Sequence, residues 1–553
     1  MVTVEISEIK AQLKLITPIF EEVADPKLSA AIKILLNLFE ILMDKYDQQV
    51  EINQKLKDEI NRLKGEHPRP KPKPDNKGKD HSSEKERKER QSKKTKKKRT
   101  PKQDQIKADR TVICKLDKSK LPEDAVHKGH TSVIIQDLKV STDNVQFERE
   151  TYYSPSLKKT FMADLPAGYD GEFGPGIKTL VLSLYHNSNM TQPAILDFLQ
   201  TTGVVISAAT VSRIITEDHD VFHQEKEAII DAGLQGDYQQ IDDTSARVNG
   251  KSHYVHIFSN PLYTAFFTRA RKDRLTLIEI LCRGELKFLF NEEASELMAA
   301  MGLSQKHIDH LQYKGLLNPA EIDRVLSDMF PIPNTHKNNK RLIAEAGAIT
   351  YYRTLPHAIT YLMADDAKQF NYLAEHKALC WIHEGRHYKK LTPFFRQHRN
   401  YVKEFLTKFW DFYRDLLGYT SNPSPEVATQ LSNDFDDLFS TTTGYDALDQ
   451  RIALTKDKKE ALLLALQFPF LPLHNNDAEN GAQHQARLRD IHLQTKNIKG
   501  TEVKDTFATI VKTARKLKVN VMDYLHDRVT KKFAMPSLAS LILKKQNPSL
   551  DTS

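Results

Sequence analysis

The sequence predicts an α/β protein of several domains, and three observations lead to this prediction. The chain has 553 residues, more than a single hydrophobic core usually supports. Three consecutive runs rich in β-branched and aromatic residues lie between 237 and 271, separated by turn dipeptides. The long stretches 285–345 and 395–468 instead have helical patterns. We therefore expect a β-sheet core with large helical insertions.

The composition argues against a membrane or disulfide-stabilised protein. Hydrophobic residues make up 39% of the chain, and the best apolar stretch is interrupted by Lys33, Asn37 and Glu40. Such a stretch does not supply the ~20 apolar residues that span a bilayer. The first residues lack the basic-then-apolar pattern of a signal peptide. Three scattered cysteines form no disulfide framework; they are Cys114, Cys282 and Cys380. The sequence predicts a cytoplasmic protein with no membrane partner.

The first element, in a domain over 1–65, is a long helix with a heptad repeat. Apolar residues recur every seven positions over 28–64, with Asn53 at one a position. The two series are Ile32, Phe39, Tyr46, Asn53 and Ile60, and Leu35, Leu42, Gln49, Leu56 and Leu63. A buried polar residue at an a position often sets the register of a coiled coil. The pattern predicts a coiled-coil homodimer; the alternative is an amphipathic helix packed on its own chain.

A basic segment over 66–110 follows the helix. It contains "KPKPDNKGKD" and "KKTKKKRTPK", although the formal net charge of the whole chain is only +8. Such blocks repel themselves and do not fold, and they suit a polyanionic partner. We expect a disordered linker, either simply solvated or tracking phosphates in a salt-dependent way.

The next region, 111–230, is predicted to bind DNA. Short β-branched runs suggest a small β-rich unit over about 110–165, and a glycine-rich structural loop precedes a helix near 176. Over 189–217, Thr191 and Ser207 can each cap a short helix, and "TTG" separates the two. This pattern indicates a helix-turn-helix, whose second helix can enter a major groove. The candidate DNA contacts on it are Ser207, Thr210, Ser212 and Arg213.

Acidic residues mark the three-strand unit and two later segments. Asp242 and Asp243 lie in the middle of the first strand, which is joined to the second by an Asn249-Gly250 hairpin turn. Asp365 and Asp366 close the later strand "AITYLM", and Glu479 lies where a helix should start. Three strands, a helix, an acid-ended strand and a late helical acid form the layout of a ribonuclease-H-like core. The long gaps between the acids predict one helical insertion in each.

Four blocks in this order resemble a known family. "QIDDTSARVNGKSHYVHIFSN", "MADDAKQF", "LCWIHEGRHYKKL" and "LPLHNNDAEN" are similar to the insertion sequence sixty-six family of bacterial transposases, of the Asp-Asp-Glu (DDE) type. The resemblance runs from about 112 to 530. It implies that the protein binds the terminal inverted repeats of an insertion sequence, cleaves the DNA and joins the freed 3′-hydroxyl to target DNA.

The resemblance also implies a set of site residues. The catalytic acids are Asp242, Asp365 and Glu479. The candidate metal ligands are these three with Asp243 and Asp366, because the sequence alone does not say which aspartate of each pair binds the metal. Three carboxylates can hold two Mg²⁺ about 4 Å apart, and Mn²⁺ can substitute. Cys380 and His383 match a Cys-x-x-His element, for which we expect a structural role. Further DNA contacts are expected at Arg386, Lys389, Arg487 and Arg489.

The predicted organisation places the first part of the core at 231–394, with an insertion at 285–345, a second insertion at 395–468, and the last part, with Glu479, at 469–553. The predicted protein is a nucleoid-associated bacterial enzyme that acts on double-stranded DNA. Two alternatives stay open at this point. One is a catalytically inactive DNA-binding or regulatory protein derived from a transposase, and the other is a metal-dependent nuclease.

Overall fold

The structure of the chain, a computed structural model, describes residues 25–63, 107–117, 122, 125–126, 128–169, 171–311, 314–332 and 335–547. Most of the predicted basic linker lies outside these residues. Two compact units divide the chain. The larger takes its residues from Met1–Lys79, Pro166–Thr191 and Ser212–Ser553, and the smaller from Asp80–Leu165 and Gln192–Val211. Among the described residues, no helix is both long and apolar enough to cross a lipid bilayer.

The smaller unit contains a hairpin and a helix. Strands β1 (Thr151–Ser154) and β2 (Lys159–Met162) pair antiparallel. Within the described part of 107–165, β1 and β2 are the only strands. The β-rich unit expected there is therefore a single hairpin. Its residues are largely exposed.

The predicted pair of short helices is present on either side of "TTG". The helix α3 (Gln192–Thr201) buries Ile195 and Leu199, and α4 (Ala208–Thr216) starts where the Ser207 hydroxyl accepts a hydrogen bond from the Thr210 N–H at 3.1 Å. This is the N-cap that the sequence predicts. The boundary between the two units falls inside α4.

The larger unit is built on a five-stranded mixed sheet in the order β5-β4-β3-β8-β9. Its strands are β3 (Gln239–Val248), β4 (Lys251–Ser259), β5 (Thr264–Arg269), β8 (Tyr361–Ala364) and β9 (His376–Leu379). The three-strand meander and both of its turns are confirmed. Asn249 and Gly250 have φ of 47° and 75°, as a tight hairpin turn between right-twisted strands requires. β3 pairs parallel with β8, and β8 pairs parallel with β9.

Helices cover this sheet and form the two insertions. The chain order of the remaining elements of the larger unit is α1 (Pro26–Leu63), α2 (Pro175–Leu182), a π-helix (Ser183–Asn187), α5 (Asp220–Leu234), α6 (Arg274–Cys282), β6 (Phe288–Phe290), α7 (Glu292–Ala300), α8 (Gln305–Leu311), β7 (Gly315–Leu317), α9 (Pro319–Met329), α10 (Lys337–Arg353), a 3₁₀ turn (Lys368–Phe370), α11 (Trp381–Lys389), α12 (Arg396–Ser421), α13 (Pro425–Leu438), α14 (Asp446–Lys456), α15 (Lys459–Leu462), α16 (Leu464–Gln467), α17 (Asn476–His492), α18 (Ile498–Leu517), α19 (Val521–Val529) and α20 (Leu538–Gln546).

Two apolar cores lie in the larger unit. The first joins the sheet to α5, α6, α10, α18 and the 285–345 segment. The second joins β9 and α11 to the helices of 395–468, around the fully buried Trp381. The segment 381–389 is a helix that follows β9 almost directly. The helix forms because Trp381, Ile382 and Tyr388 share one buried face against α12.

The N-terminal half of helix α1 packs on the second insertion. The Glu40 carboxylate accepts hydrogen bonds from the backbone N–H groups of Phe394 and Phe395, and Asn37 donates to the Gly444 carbonyl. Much of the predicted heptad seam is nevertheless exposed, including Leu42 at 61% and Leu56 at 57%. The predicted helix is confirmed. The structure contains one chain, so the coiled-coil homodimer stays a prediction.

Candidate functional site

The register of the sheet brings the first two predicted acids side by side. On the parallel pair β3–β8, Gln240 is opposite Met363. Asp242 and Asp365 each lie two residues further along their strands, so both lie at the same level and point to the same face. Asp365 follows the last residue of β8, where its carboxylate accepts a hydrogen bond from the Ala367 N–H at 3.0 Å.

The third acid comes from α17, which is tied to β3. Asn475 Nδ2 donates to the Ile241 carbonyl at 2.7 Å, and Gln240 Oε1 accepts from the Asp477 N–H at 2.8 Å. Gly481 lets the helix approach the sheet closely, because a Cβ there would lie 2.8 Å from Ile257 Cγ2. These contacts hold Glu479, in the first turn of α17, beside Asp242.

The electrostatics of Asp242 indicate that the three carboxylates are near one another. Burial and then the negative charges of Asp365, Asp243 and Glu479 together raise the pKa of Asp242 to about 7, although the Asp243 N–H opposes them by donating a hydrogen bond at 2.8 Å. A buried carboxylate among like charges favours a proton or a bound cation. Hard carboxylate oxygens are the ligands that Mg²⁺ prefers, so the donor set fits that ion.

The neighbouring acids, Asp243 and Asp366, each form an ion pair with a lysine. The Asp243 carboxylate lies 2.5 Å from Lys272 Nζ and accepts a hydrogen bond from Gln369 Nε2. The Asp366 carboxylate lies 2.6 Å from Lys458 Nζ. Successive side chains of a strand point to opposite faces, which separates Asp243 from Asp242. The geometry thus distinguishes the two members of each pair, which the sequence leaves open.

Helix α11 supplies the neighbours of Glu479. Arg386 Nη2 lies 3.0 Å from Glu479 Oε2, and His383 Nδ1 lies 3.4 Å from Oε1. Arg386 Nη1 also lies 3.0 Å from His383 Nε2. Arg386, expected as a DNA contact, therefore neutralises Glu479 in this structure.

The other predicted DNA contacts lie in several places. Ser207 and Arg213 are exposed, Thr210 and Ser212 are half-buried, and Arg487 is exposed on α17. Lys389 ends α11, at the helix terminus where a cation is favoured. Arg489 instead donates to Thr244 Oγ1 and Ser245 Oγ, which fixes α17 to the far end of β3.

Arg487 belongs to a group of cations on α17 and α18 whose other members the sequence reasoning missed. Burial and then the charges of Lys512, Arg515, Lys504 and Arg487 lower the pKa of His484 to about 3. Burial and the neighbouring charges of Arg515, Arg487 and Lys516 lower the pKa of Lys512 to about 8. Crowded like charges of this kind suit a polyanion. The only signal in the sequence was the cation spacing in "KTARKLK", which is also ordinary for a solvated helix.

Comparison with known proteins adds one relative. No protein-family model matches the chain. The chain is similar to the protein y4jO of Sinorhizobium fredii, whose name describes it as uncharacterised. The two are 29% identical over 340 residues, which cover 57% of this chain and 100% of that protein. This similarity assigns no activity to either protein.

Proposed function

We propose that the protein is a metal-dependent DNA transposase of the Asp-Asp-Glu type, resembling the insertion sequence sixty-six family. The observation that carries the proposal is the meeting of Asp242 on β3, Asp365 after β8 and Glu479 on α17, with the pKa of Asp242 raised by its burial and by the other acids. A ribonuclease-H-like core is proposed on the same basis. Three antiparallel strands followed by two parallel ones, with the first acid on the central strand, support that assignment.

The three carboxylates would hold Mg²⁺, or Mn²⁺ in its place, and the ions would activate the attacking hydroxyl and neutralise charge on the phosphodiester. Asp242 is fixed by β3, and Glu479 is oriented by α17 through Gln240 and Asn475. Arg386 neutralises Glu479 until a cation takes over that role. Lys512 on α18 and Arg487 on α17 lie near each other and offer positive charge to the DNA backbone.

Two further parts of the chain would bind partners. The exposed residues of α4 suit a DNA major groove, and the basic segment 66–110 suits phosphates, so both are proposed to bind terminal inverted repeats. The exposed heptad positions of α1 favour pairing with a second copy of the chain. The proposed enzyme is a homodimer that acts at the nucleoid.

The test is cleavage and strand transfer on DNA carrying the repeat ends of the source element, with Mg²⁺ or Mn²⁺. Asp242→Asn, Asp365→Asn and Glu479→Gln should each lower the rate by at least about 100-fold, since each removes a carboxylate that would hold the metal ions. Asp366→Asn is the matched control and should keep most of the activity, because Asp366 is paired with Lys458. Wild-type rates in the three variants would contradict the proposal.

The products separate the rival functions. Joined DNA products support a transposase, whereas cleavage without joining indicates a nuclease. Specific binding of repeat ends without cleavage, at any concentration of either metal, indicates a DNA-binding regulatory protein.

A further inference from the structure

A second set of ligands lies directly beside the three acids. Cys380, His383 and Glu479 each offer a ligand atom, and these atoms all lie within 4.8 Å of one another. Cys380 precedes the first residue of α11, His383 is one turn along, and Glu479 reaches them from α17. The Cys-x-x-His spacing places both side chains on the same side of the helix start.

The backbone around Cys380 is arranged for a negatively charged sulfur. The N–H groups of Ile382, His383 and Asn475 point at Cys380 Sγ, with Asn475 N at 3.3 Å, and they lower the pKa of the thiol. Burial and the charge of Glu479 work against them and raise it to about 12. The Cys380 sulfur thus lies among backbone N–H groups at the start of α11, a position that suits a thiolate bound to a cation.

His383 also has a ring nitrogen directed into this space. Its Nδ1 is buried and makes no hydrogen bond within the described part of the chain, although Glu479 Oε1 lies 3.4 Å away. The side chains of His383 and Glu479 are 27% and 14% exposed, which leaves an approach from solvent.

We propose that Cys380, His383 and Glu479 form a binding site for a divalent cation of the zinc class, distinct in ligand chemistry from the site of Asp242 and Asp365. Thiolate and imidazole select borderline or soft ions such as Zn²⁺, Co²⁺ and Cd²⁺, whereas Mg²⁺ takes oxygen ligands. Three protein ligands leave a fourth tetrahedral position open.

Binding of the ion changes the protonation of Cys380 and His383. Binding removes the thiol proton of Cys380, which goes to solvent as one H⁺ per ion. His383 binds through Nδ1 and carries its proton on Nε2, so Arg386 no longer donates to that ring nitrogen. The positive charge of the ion replaces that of Arg386 beside Glu479, and the guanidinium becomes free to move.

The site has a regulatory consequence, and this part rests on the proposed function. Glu479 belongs to both ligand sets, so an ion held by Cys380 and His383 withdraws it from the Mg²⁺ site. Zinc-class ions should therefore inhibit Mg²⁺-dependent cleavage, and Cys380→Ser should remove this inhibition while it keeps Asp242, Asp365 and Glu479.

Titration of the full chain with Co²⁺ tests the site independently of any activity. We expect one equivalent to give the near-ultraviolet absorption of thiolate-to-Co²⁺ charge transfer, and Zn²⁺ to displace it. The absorption should be lost in Cys380→Ser. His383→Gln should weaken binding by more than the ~10–100-fold that loss of an outer-shell partner costs.

The other two cysteines are matched controls. Cys282→Ser changes a buried cysteine elsewhere in the larger unit and Cys114→Ser an exposed one, and both should keep the absorption. An absent band, or a band that survives Cys380→Ser, overturns the proposal. Should Cys380→Ser fail to fold by circular dichroism, undiminished binding by the folded His383→Gln variant overturns it equally. Because Co²⁺ binding is read from the spectrum, it distinguishes failure of this site from failure of the proposed DNA chemistry.

Discussion

Two aspartates that contact the central sheet, the half-buried Asp242 and the buried Asp505, have opposite surroundings. Asp505 of α18 accepts hydrogen bonds from Thr268 N at 2.6 Å and from Thr268 Oγ1 at 2.9 Å. Burial raises its pKa, while the charge of Lys226 and both hydrogen bonds lower it. Asp242 accepts a hydrogen bond from the adjacent Asp243 N–H, and the further charged groups that shift its pKa are carboxylates.

These surroundings indicate that Asp505 has a structural role and that Asp242 belongs to a binding site. A buried charge with hydrogen-bond donors and a nearby cation is compensated within the protein, so Asp505 joins α18 to β5. Asp242 lacks comparable compensation and gathers more negative charge around itself, which destabilises the fold unless a proton or cation binds. Such uncompensated groups concentrate where a ligand completes the site.

The largest effect is expected from Asp505→Ala. The change leaves the Thr268 N–H without its partner and removes the stronger of the two acidic neighbours of the buried Lys226, which should cost about 3–5 kcal/mol of stability. Thermal and urea unfolding would measure the loss. Glu502→Ala, on an exposed position of the same helix, should stay within about 0.5 kcal/mol. Equal midpoints for the two variants would show that Asp505 is not the structural charge described above.

Asp242→Asn should instead increase the stability of the metal-free protein. The pKa of Asp242 is 3.8 when unperturbed and about 7 in the fold, so between these values the folded state holds more protons than the unfolded state. Stability therefore falls as pH rises from about 4 to 7, by at most about 4 kcal/mol. The variant should remove this fall and be more stable than wild type at pH near 8. Parallel pH–stability curves for the two proteins would contradict the prediction.

Gly481→Ala probes the contact that holds Glu479 near Asp242. Its Cβ would meet Ile257 Cγ2 at 2.8 Å and push α17 from the sheet, at a cost of about 1–3 kcal/mol. The matched helical change Gly418→Ala meets open space and should instead stabilise by about 0.5–1 kcal/mol. Metal-dependent cleavage should fall only in the Gly481 variant. Unchanged unfolding and cleavage in that variant would mean that the close approach of α17 does not position the glutamate.

The sequence was sufficient for elements whose causes are local. The Asn249-Gly250 turn, the three strands around it and the cap at Ser207 follow from backbone preferences within a few residues. Helix α11 was missed because its apolar face is set by packing against the next helix, α12, which the residue pattern of 381–389 does not show. The role of Arg386 was missed for the same reason, since its partner Glu479 lies in another part of the sequence.

The sequence by itself determined which acids to consider and in what order they occur. Only the tertiary structure decided that Asp242 and Asp365 share one level of a parallel strand pair, that lysines occupy Asp243 and Asp366, and that Cys380 and His383 reach Glu479. The physical reason is that charge compensation and ligand geometry act through space over a few ångströms. A strand register and a helix docked by Asn475 create those distances, and neither is visible in the order of residues.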